Sequence, residues 1–579
     1  MKKFGNRTGN HLSFAPMLVV VLALLLVPSG SMAAGKRTGR LVDTAWLTQH
    51  MNDPNLVIID ASRTPDYVKN HINGAISASF PADKYLSYGV DTSYGGGLDF
   101  FTDPNLLIPF QDGPPKQIEE AVRSLGIDNG STVVVYDKGA DLLATRFFWT
   151  LNFFGHKKIY VLNGGLAKWM EDGYPVTKDV PTVKKGTFKA SIPKPALKAE
   201  TEDVLALIKK PNTALVSGLL PSWHYGITLF YDRRGHIPYA IDMPFPLYFQ
   251  KDKTWKPLSE LKAMFEHAGI TPGKHIITHC GGGVAGNATF FTLKYVMGYP
   301  NVRMYLGSML AWLTDPRDLA FWTYDNEHSI RNTDWMQWWA GERIQYLTGE
   351  PKVIAVDVRP KDKYTGGHMA YAVNIPVPEL MGLAPENTGS WEEVLGKNGV
   401  SRDKEVAIYD ETITPESTYL FWLLEYFGQK KVSIYNDGLA GWTAAGYKKT
   451  DKDTIISKSA HTFDVSVSPT AYKATLQAGK RLTDQKESVQ GKFPRLWLIA
   501  SESLPATLPA APFKHIPWKN NLTDKGKIKS AAELWNLYEK AEVSKFSEIV
   551  CYSESVPEAT MAYFALRAIG FPNVRVYVP

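Results

Sequence analysis

Short apolar runs recur along this chain, each followed by a longer stretch rich in aromatic residues. The runs are Val133-Val134-Val135-Tyr136, Ile276-Ile277-Thr278-His279, Val406-Ala407-Ile408-Tyr409 and Ile549-Val550-Cys551-Tyr552. Runs this short and this uniformly apolar predict strands buried on both faces. Behind them come Phe147-Phe148-Trp149, Phe290-Phe291, Phe421-Trp422 and Tyr563-Phe564, which predict helices, then Gly155, Gly298, Gly428 and Gly570 and a further short strand. Three copies continue into Gly164-Gly165-Leu166-Ala167-Lys168-Trp169, Met309-Leu310-Ala311-Trp312 and Gly438-Leu439-Ala440-Gly441-Trp442, and the fourth ends at Pro579 before such a segment. Strands alternating with helices predict the α/β class: four doubly wound domains, each a parallel sheet flanked by helices.

A second pattern lies upstream of each copy. Ile58-Ile59-Asp60 with Arg63 precedes His71-Ile72-Asn73-Gly74-Ala75, and Ala214-Leu215-Val216 precedes Gly235-His236-Ile237-Pro238-Tyr239-Ala240. Val356-Asp357-Val358-Arg359 precedes Gly367-His368-Met369-Ala370-Tyr371-Ala372, and the fourth copy keeps only His515-Ile516-Pro517. In sheets of this kind sites form at the carboxyl ends of strands. Residues 137, 280, 410 and 551–552 sit there in the four copies.

At 579 residues the chain is too long for one core, and roughly 100–200 residues per domain predicts three to five domains. Lys2, Lys3 and Arg7, the apolar run Met17 to Val27 and then Ser31-Met32-Ala33 predict a cleaved signal peptide over 1–33 and hence a periplasmic or otherwise exported protein. The run is short for a membrane span, so no stable span is expected after cleavage. Formal net charge is +6; without the leader's three bases it falls to +3 (6 − 3). That is too little for a nucleic-acid surface, which needs a concentrated basic patch. Cys280 and Cys551 are the two cysteines, and neither belongs to a CxxC pair or a zinc-like cluster, so no metal and no cofactor is predicted.

Asp-x-Arg, Gly-His-Ile-Pro-x-Ala, the strand-loop-helix around residue 280 and Gly-Leu-x-x-Trp together resemble the rhodanese family. The resemblance covers nearly all of the mature chain, strongly in the first three copies and weakly in the fourth. The first two copies resemble the tandem thiosulfate/3-mercaptopyruvate sulfurtransferases, in which an inert N-terminal domain precedes an active one. The domains then read as 38–182, 195–325, 334–452 and 465–579, arranged as two tandem pairs with Cys280 facing the interface of the first pair.

The resemblance implies a thiolate that attacks a sulfane sulfur, becomes a persulfide, and passes the sulfur to a thiophilic acceptor. A thiolate needs inward-pointing N–H groups around it, and glycines let the backbone curl to supply them. Cys280-Gly281-Gly282-Gly283-Val284-Ala285 fits: Cys280 is the expected nucleophile, and Gly281, Gly282, Gly283, Val284 and Ala285 the substrate-binding loop. Copies one and three carry Asp137 and Asp410 at that point. A carboxylate carries no persulfide, so both copies are expected to be inert, their aspartates bonded to their own loops. In copy four, counting 22 residues back from Val574, as from Ile159 to 137, Val302 to 280 and Val432 to 410, reaches Tyr552. Cys551 would then be the last strand residue and structural.

Copy two departs from the family: Ser217 and Leu219 stand where Asp-x-Arg is expected, Gly281 and Gly282 where thiosulfate-type relatives have basic residues, and Ala285 replaces a threonine. Arg234, with Arg233, is the candidate replacement for the missing substrate-binding arginine. A persulfide or 3-mercaptopyruvate-like donor is therefore as plausible as thiosulfate. His279 is aimed away by strand alternation, and His71, His236 and His368 cap their turns. A phosphatase or arsenate reductase needs a longer loop ending in arginine, and Gly286 stands after this one. The competing class is a largely non-catalytic periplasmic scaffold with a protein partner, the reading that wins if Cys280 is buried or its loop closed. Handling of selenium or tellurium oxyanions is a third possibility that no residue specifies.

Overall fold

The structure, a computed structural model, describes residues 37–78, 112–139, 142–191, 194–208, 210–229, 231–340, 353–454, 463, 465, 473–474, 493–506, 508–509 and 512–578. The expected signal segment lies outside these residues.

Four sheets with one strand order follow one another along the chain. In the second, Ala240–Asp242, Thr213–Ser217, His275–His279, Val302–Tyr305 and Lys198–Ala199 lie side by side, all parallel. The third sheet repeats this with Val373–Asn374, Val353–Asp357, Glu405–Tyr409, Val432–Tyr435 and Ile330–Arg331. The fourth repeats it with Phe513–His515, Arg495–Ile499, Glu548–Tyr552, Val574–Tyr577 and Lys473–Ala474. The first has Ile76–Ser77, Leu56–Asp60, Thr132–Tyr136, Ile159–Leu162 and Leu41–Val42, with Arg37–Thr38 added as an antiparallel edge. The third sheet includes Ile330–Arg331, ahead of the expected start of the third domain at 334: Ile330 and Arg331 pair with Ile434 and Tyr435. Two polar-flanked residues are too short a strand to show a period.

The central strands are β-branched and almost wholly buried, as Thr132–Tyr136 and Val353–Asp357 show. The helix after each central strand is apolar on every side because it is covered twice. Leu142–Phe153 packs on its own sheet and on Ala285–Phe291 of the second domain, and Pro415–Tyr426 packs likewise on Val556–Ala568 of the fourth. Phe148 meets Phe291 edge-on at 4.8 Å, and Phe421 meets Phe564 at 5.0 Å. One apolar core therefore spans domains one and two, and another spans three and four.

The sheet registers correct one sequence expectation. Asp60 pairs with Tyr136, Ser217 with His279, Asp357 with Tyr409 and Ile499 with Tyr552. On the other side Val133 pairs with Ile159, Ile276 with Val302, Val406 with Val432 and Ile549 with Val574. Both ladders align Ser553, not Tyr552, with Asp137, Cys280 and Asp410. The connection from there to the next strand is one residue shorter in copy four, so the constant count of 22 fails. Cys551 lies two residues inside the strand, level with Val135, Thr278 and Ile408, and packs in the core of the second pair.

Candidate functional site

Strand His275–His279 delivers Cys280 to a turn that continues directly into helix Ala285–Phe291. The turn closes on the sulfur: Gly283 N–H donates to Cys280 Sγ at 3.2 Å. Gly283 sits at φ +90°, and a Cβ there would lie 2.4 Å from Leu306 O, so this curl requires glycine. Cys280 is 1 % exposed, while Gly282, Val284 and Ala285 of the same loop are half-buried. The loop thus presents its far wall to solvent and keeps the sulfur at its floor. The buried apolar neighbours of Cys280 are Leu215, Leu219, Ile237, Tyr305 and Trp312 among others, all of its own domain.

Two further side chains hold this loop, and the sequence reading had singled out neither. Asn287 Nδ2 donates to Gly283 O at 2.5 Å, tying the loop to the helix in a copy that lacks the loop-closing threonine. Ser308 Oγ accepts from Cys280 N–H at 3.1 Å, donates to Tyr305 O at 2.8 Å and lies 4.0 Å from Sγ. Its φ is +52°, where the corresponding Gly165 and Gly438 have +56° and +60°. A side chain kept at a left-handed position that sibling copies give to glycine is a strained choice, and strain of this sort collects at working sites. The signal was available: Ser308 is the residue that replaces the first Gly of Gly-Leu-x-x-Trp.

The sibling loops are occupied differently. Asp137 Oδ1 accepts from Gly139 N–H at 2.9 Å, and Oδ2 from Leu143 N–H at 3.0 Å and Ala144 N–H at 3.2 Å. Asp410 accepts from Glu411 N–H at 2.5 Å and from Thr414 Oγ1 at 2.8 Å. Ser553 donates to Glu558 at 2.6 Å. In these copies a side-chain oxygen takes up the N–H groups or hydroxyl that would face an anion. Cys551 is wholly buried, and burial holds its thiol well above the usual cysteine range, which keeps it protonated and unreactive.

The remaining candidates are placed as follows. His279 is buried, its Nδ1 is 3.2 Å from Cys280 O, and burial pushes it down to about 4, so the ring is neutral. His71 Nδ1 meets Tyr67 O, His368 Nδ1 meets Tyr364 O and His236 Nδ1 meets His224 O, each closing its turn. Arg234 is exposed and donates to Gly226 O at 3.0 Å and Ile227 O at 2.5 Å, and Arg233 pairs with Asp318. Arg234 is thus engaged on its own loop and Arg233 on the segment at Asp318 and Leu319. Among the described residues no helix is long and apolar enough to cross a membrane.

Known proteins and one family model are similar to parts of this chain. A sulfur carrier protein of Thermus thermophilus is 31% identical over 284 residues, 47% of this chain and 93% of its own length. The 3-mercaptopyruvate sulfurtransferase of Escherichia coli is 29% identical over 276 residues, 47% of this chain and 94% of its own. A crystal structure of a 3-mercaptopyruvate sulfurtransferase from Escherichia coli, described as having the rhodanese fold, aligns at 27% identity and a TM-score of 0.41, covering 47% of this chain and 99% of that one. The model of the rhodanese-like domain matches residues 43–172, 200–315 and 340–445. Those three segments are the first three of the four sheets with a common strand order, and with more than half of its length matched the chain belongs to the rhodanese-like domain family.

Proposed function

We propose that this protein is an exported sulfurtransferase working through a Cys280 persulfide, with copies one, three and four inert in the transfer. The observation that carries this reading is the Gly283 N–H on Cys280 Sγ. It holds the one sulfur among the four aligned positions inside a loop built to face an anion. With thiosulfate, the Cys280 thiolate attacks the sulfane sulfur; a new S–S bond forms and sulfite leaves with the electron pair. With 3-mercaptopyruvate the C–S bond breaks, and the carbon left behind takes a proton to give pyruvate. A thiophilic acceptor then attacks the outer sulfur, and the S–S pair returns to Cys280 as thiolate. The name of the Escherichia coli relative supports 3-mercaptopyruvate as donor, and that of a Synechococcus elongatus relative, a putative thiosulfate sulfurtransferase 30% identical over 311 residues, supports thiosulfate. The N-terminal bases, apolar run and small residues of 1–33 support export.

A second reading is a periplasmic scaffold with a protein partner. The 1 % exposure of Cys280 favours it, as do three copies without a thiol at the site. Cyanide-acceptor assays with thiosulfate and 3-mercaptopyruvate separate the two. Turnover lost in Cys280→Ser and kept in Cys551→Ser establishes the transferase and ranks its donors. No turnover in the wild type, with no added sulfur on Cys280 by mass spectrometry, establishes the scaffold.

A further inference from the structure

Copy two differs from copies one and three in what lies over the loop at the strand end. In each of these copies a ring stacks on the turn histidine: Tyr67 on His71, His224 on His236 and Tyr364 on His368. Each stacking ring stands seven residues after the strand-end position Asp60, Ser217 or Asp357 (67 − 60, 224 − 217, 364 − 357). These fixed points align Asp66, Trp223 and Lys363, and likewise Ser62, Leu219 and Arg359. The loop residues directly after Asp137, Cys280 and Asp410 are Lys138, Gly281 and Glu411.

In the sibling copies an ion pair spans this gap. Asp66 meets Lys138 at 2.8 Å in copy one, and Arg359 meets Glu411 at 3.3 Å in copy three. Both upstream positions therefore reach the first residue of the loop. In copy two the same three positions hold Trp223, Leu219 and Gly281, two apolar side chains facing none. Leu219 is buried in the apolar cluster that contains Cys280, and Trp223 packs against that cluster. The backbones are close as well: a Cβ on Gly218 would lie 3.1 Å from Ala285 O. The candidate replacement cations, Arg233 and Arg234, are held by Asp318, Leu319, Gly226 and Ile227.

This apolar wall is not sealed. Trp223 is only half-buried, and Leu220, which caps the same short helix Pro221–His224, is 39 % exposed. Thr228 N–H donates to Ser222 O at 2.8 Å, tying the segment that carries exposed Leu229 to that helix. An apolar edge left in water beside a reactive loop is stabilised by a ligand that covers it. A small inorganic dianion gains little there, since the wall offers it no charge. An organic body gains by burying its own apolar surface together with that of Trp223, whose ring stacks readily on another.

We propose that the donor is a sulfane-sulfur compound with an apolar organic body, an alkyl or aryl hydropersulfide or thiosulfonate, and that Leu219 and Trp223 select that body. The inference rests on sulfur transfer at Cys280. Benzenethiosulfonate and methanethiosulfonate are the probes: both are monoanions with the same reacting group, and only the body differs. With either, the Cys280 thiolate takes the outer sulfur, the donor S–S bond breaks and the sulfinate leaves with its electron pair (a hydropersulfide loses a thiolate in the same way). Cyanide then removes that sulfur as thiocyanate and returns the thiolate. The full chain is expected to prefer benzenethiosulfonate by about tenfold or more in kcat/KM, beyond the ratio shown by a free thiol. Trp223→Lys, which installs the residue of copy three, should remove most of that preference. Leu219→Ala should reduce it severalfold, and Trp223→Phe, which keeps a ring, should retain it. Cys280-dependent turnover without preference, or a preference unchanged in both Trp223→Lys and Leu219→Ala, would overturn this inference and leave the transferase standing. No turnover with any donor, and no added sulfur on Cys280 by mass spectrometry, would overturn both.

Discussion

Cys280 and Cys551 arise from corresponding strands of two copies of one fold, two positions apart in register, and the structure gives them different surroundings. Cys280 has left its strand and takes an N–H from Gly283 at 3.2 Å. Cys551 is still inside its strand, paired across to Leu498 and Val576 and packed in an apolar core. Two residues, about 7 Å of strand, separate a sulfur that takes a backbone N–H in a turn from one that burial keeps neutral inside its strand. Reactivity here is a property of where the strand ends, not of the side chain.

The largest effect should come from exchanging the two atoms that matter. Cys280→Ser is expected to remove turnover to the background of the assay, because an oxygen at that point forms no persulfide. Cys551→Ser should keep turnover within about twofold, and lose about 1–3 kcal/mol of stability by burying a hydroxyl among apolar side chains. Steady-state kinetics beside thermal melts reads both. Turnover retained in Cys280→Ser would move the chemistry elsewhere.

Gly283→Ala comes next. Its Cβ would meet Leu306 O at 2.4 Å with φ held at +90°, a strain of about 1–3 kcal/mol that the loop relieves by opening. The N–H then leaves Sγ. A fall of about tenfold or more in kcat/KM, with native melting of the rest of the chain, is expected. Unchanged kinetics would show that the loop closes on sulfur for no catalytic purpose.

Ser308→Gly sharpens the comparison between copy two and its siblings, since it installs the residue they use. Relief of the +52° φ should leave stability unchanged or raise it by up to about 1 kcal/mol. Losing a hydroxyl 4.0 Å from Sγ should lower kcat severalfold. A gain in both would mark the serine as mere strain.

Acid should act on copy two through His279. Burial pushes its ring down from 6.5 to about 4, and the unfolded chain takes up that proton at about 6.5. The neutral ring's contribution is therefore present above pH 6.5 and is lost progressively as pH falls towards 4. Denaturant melts from pH 7 to pH 4.5 should show this decline, and His279→Gln should flatten part of it. A steeper decline in the variant would reverse the sign.

Much of this was readable beforehand. Four repeats of buried strand and aromatic helix gave the α/β layers, because period and burial are written in Val133–Val135 as plainly as in Val406–Ile408. Cys280 stood out because three glycines follow it, and glycine at a turn is a statement about backbone. What escaped was set by length or by distance. One residue missing from the connection after Ser553 shifted the alignment of copy four, since spacing carries no mark of where a deletion falls. Ile330–Arg331 was too short for any periodicity. Tyr225 and Lys545, whose hydroxyl and ammonium meet, lie 320 residues apart, and nothing local in the sequence says so.

The smallest effect tests the register itself. If Ser553 is level with Cys280, a thiol placed there in a Cys551→Ala background should stand nearer the strand end than Cys551 does. Yet it would lack a Gly283: Ser553-Glu554-Ser555-Val556 has no glycine to turn an N–H inward. Ser553→Cys, Cys551→Ala should therefore gain no sulfur transfer. Ser553 is itself only 1 % exposed, so the variant's thiol should be alkylated about as slowly as Cys551 in the wild type. Counting the alkylated peptide against time, with Cys280→Ser added to silence the main site, measures this. Sulfur transfer gained by the variant would show that the strand-end position alone, without a glycine turn, makes the site.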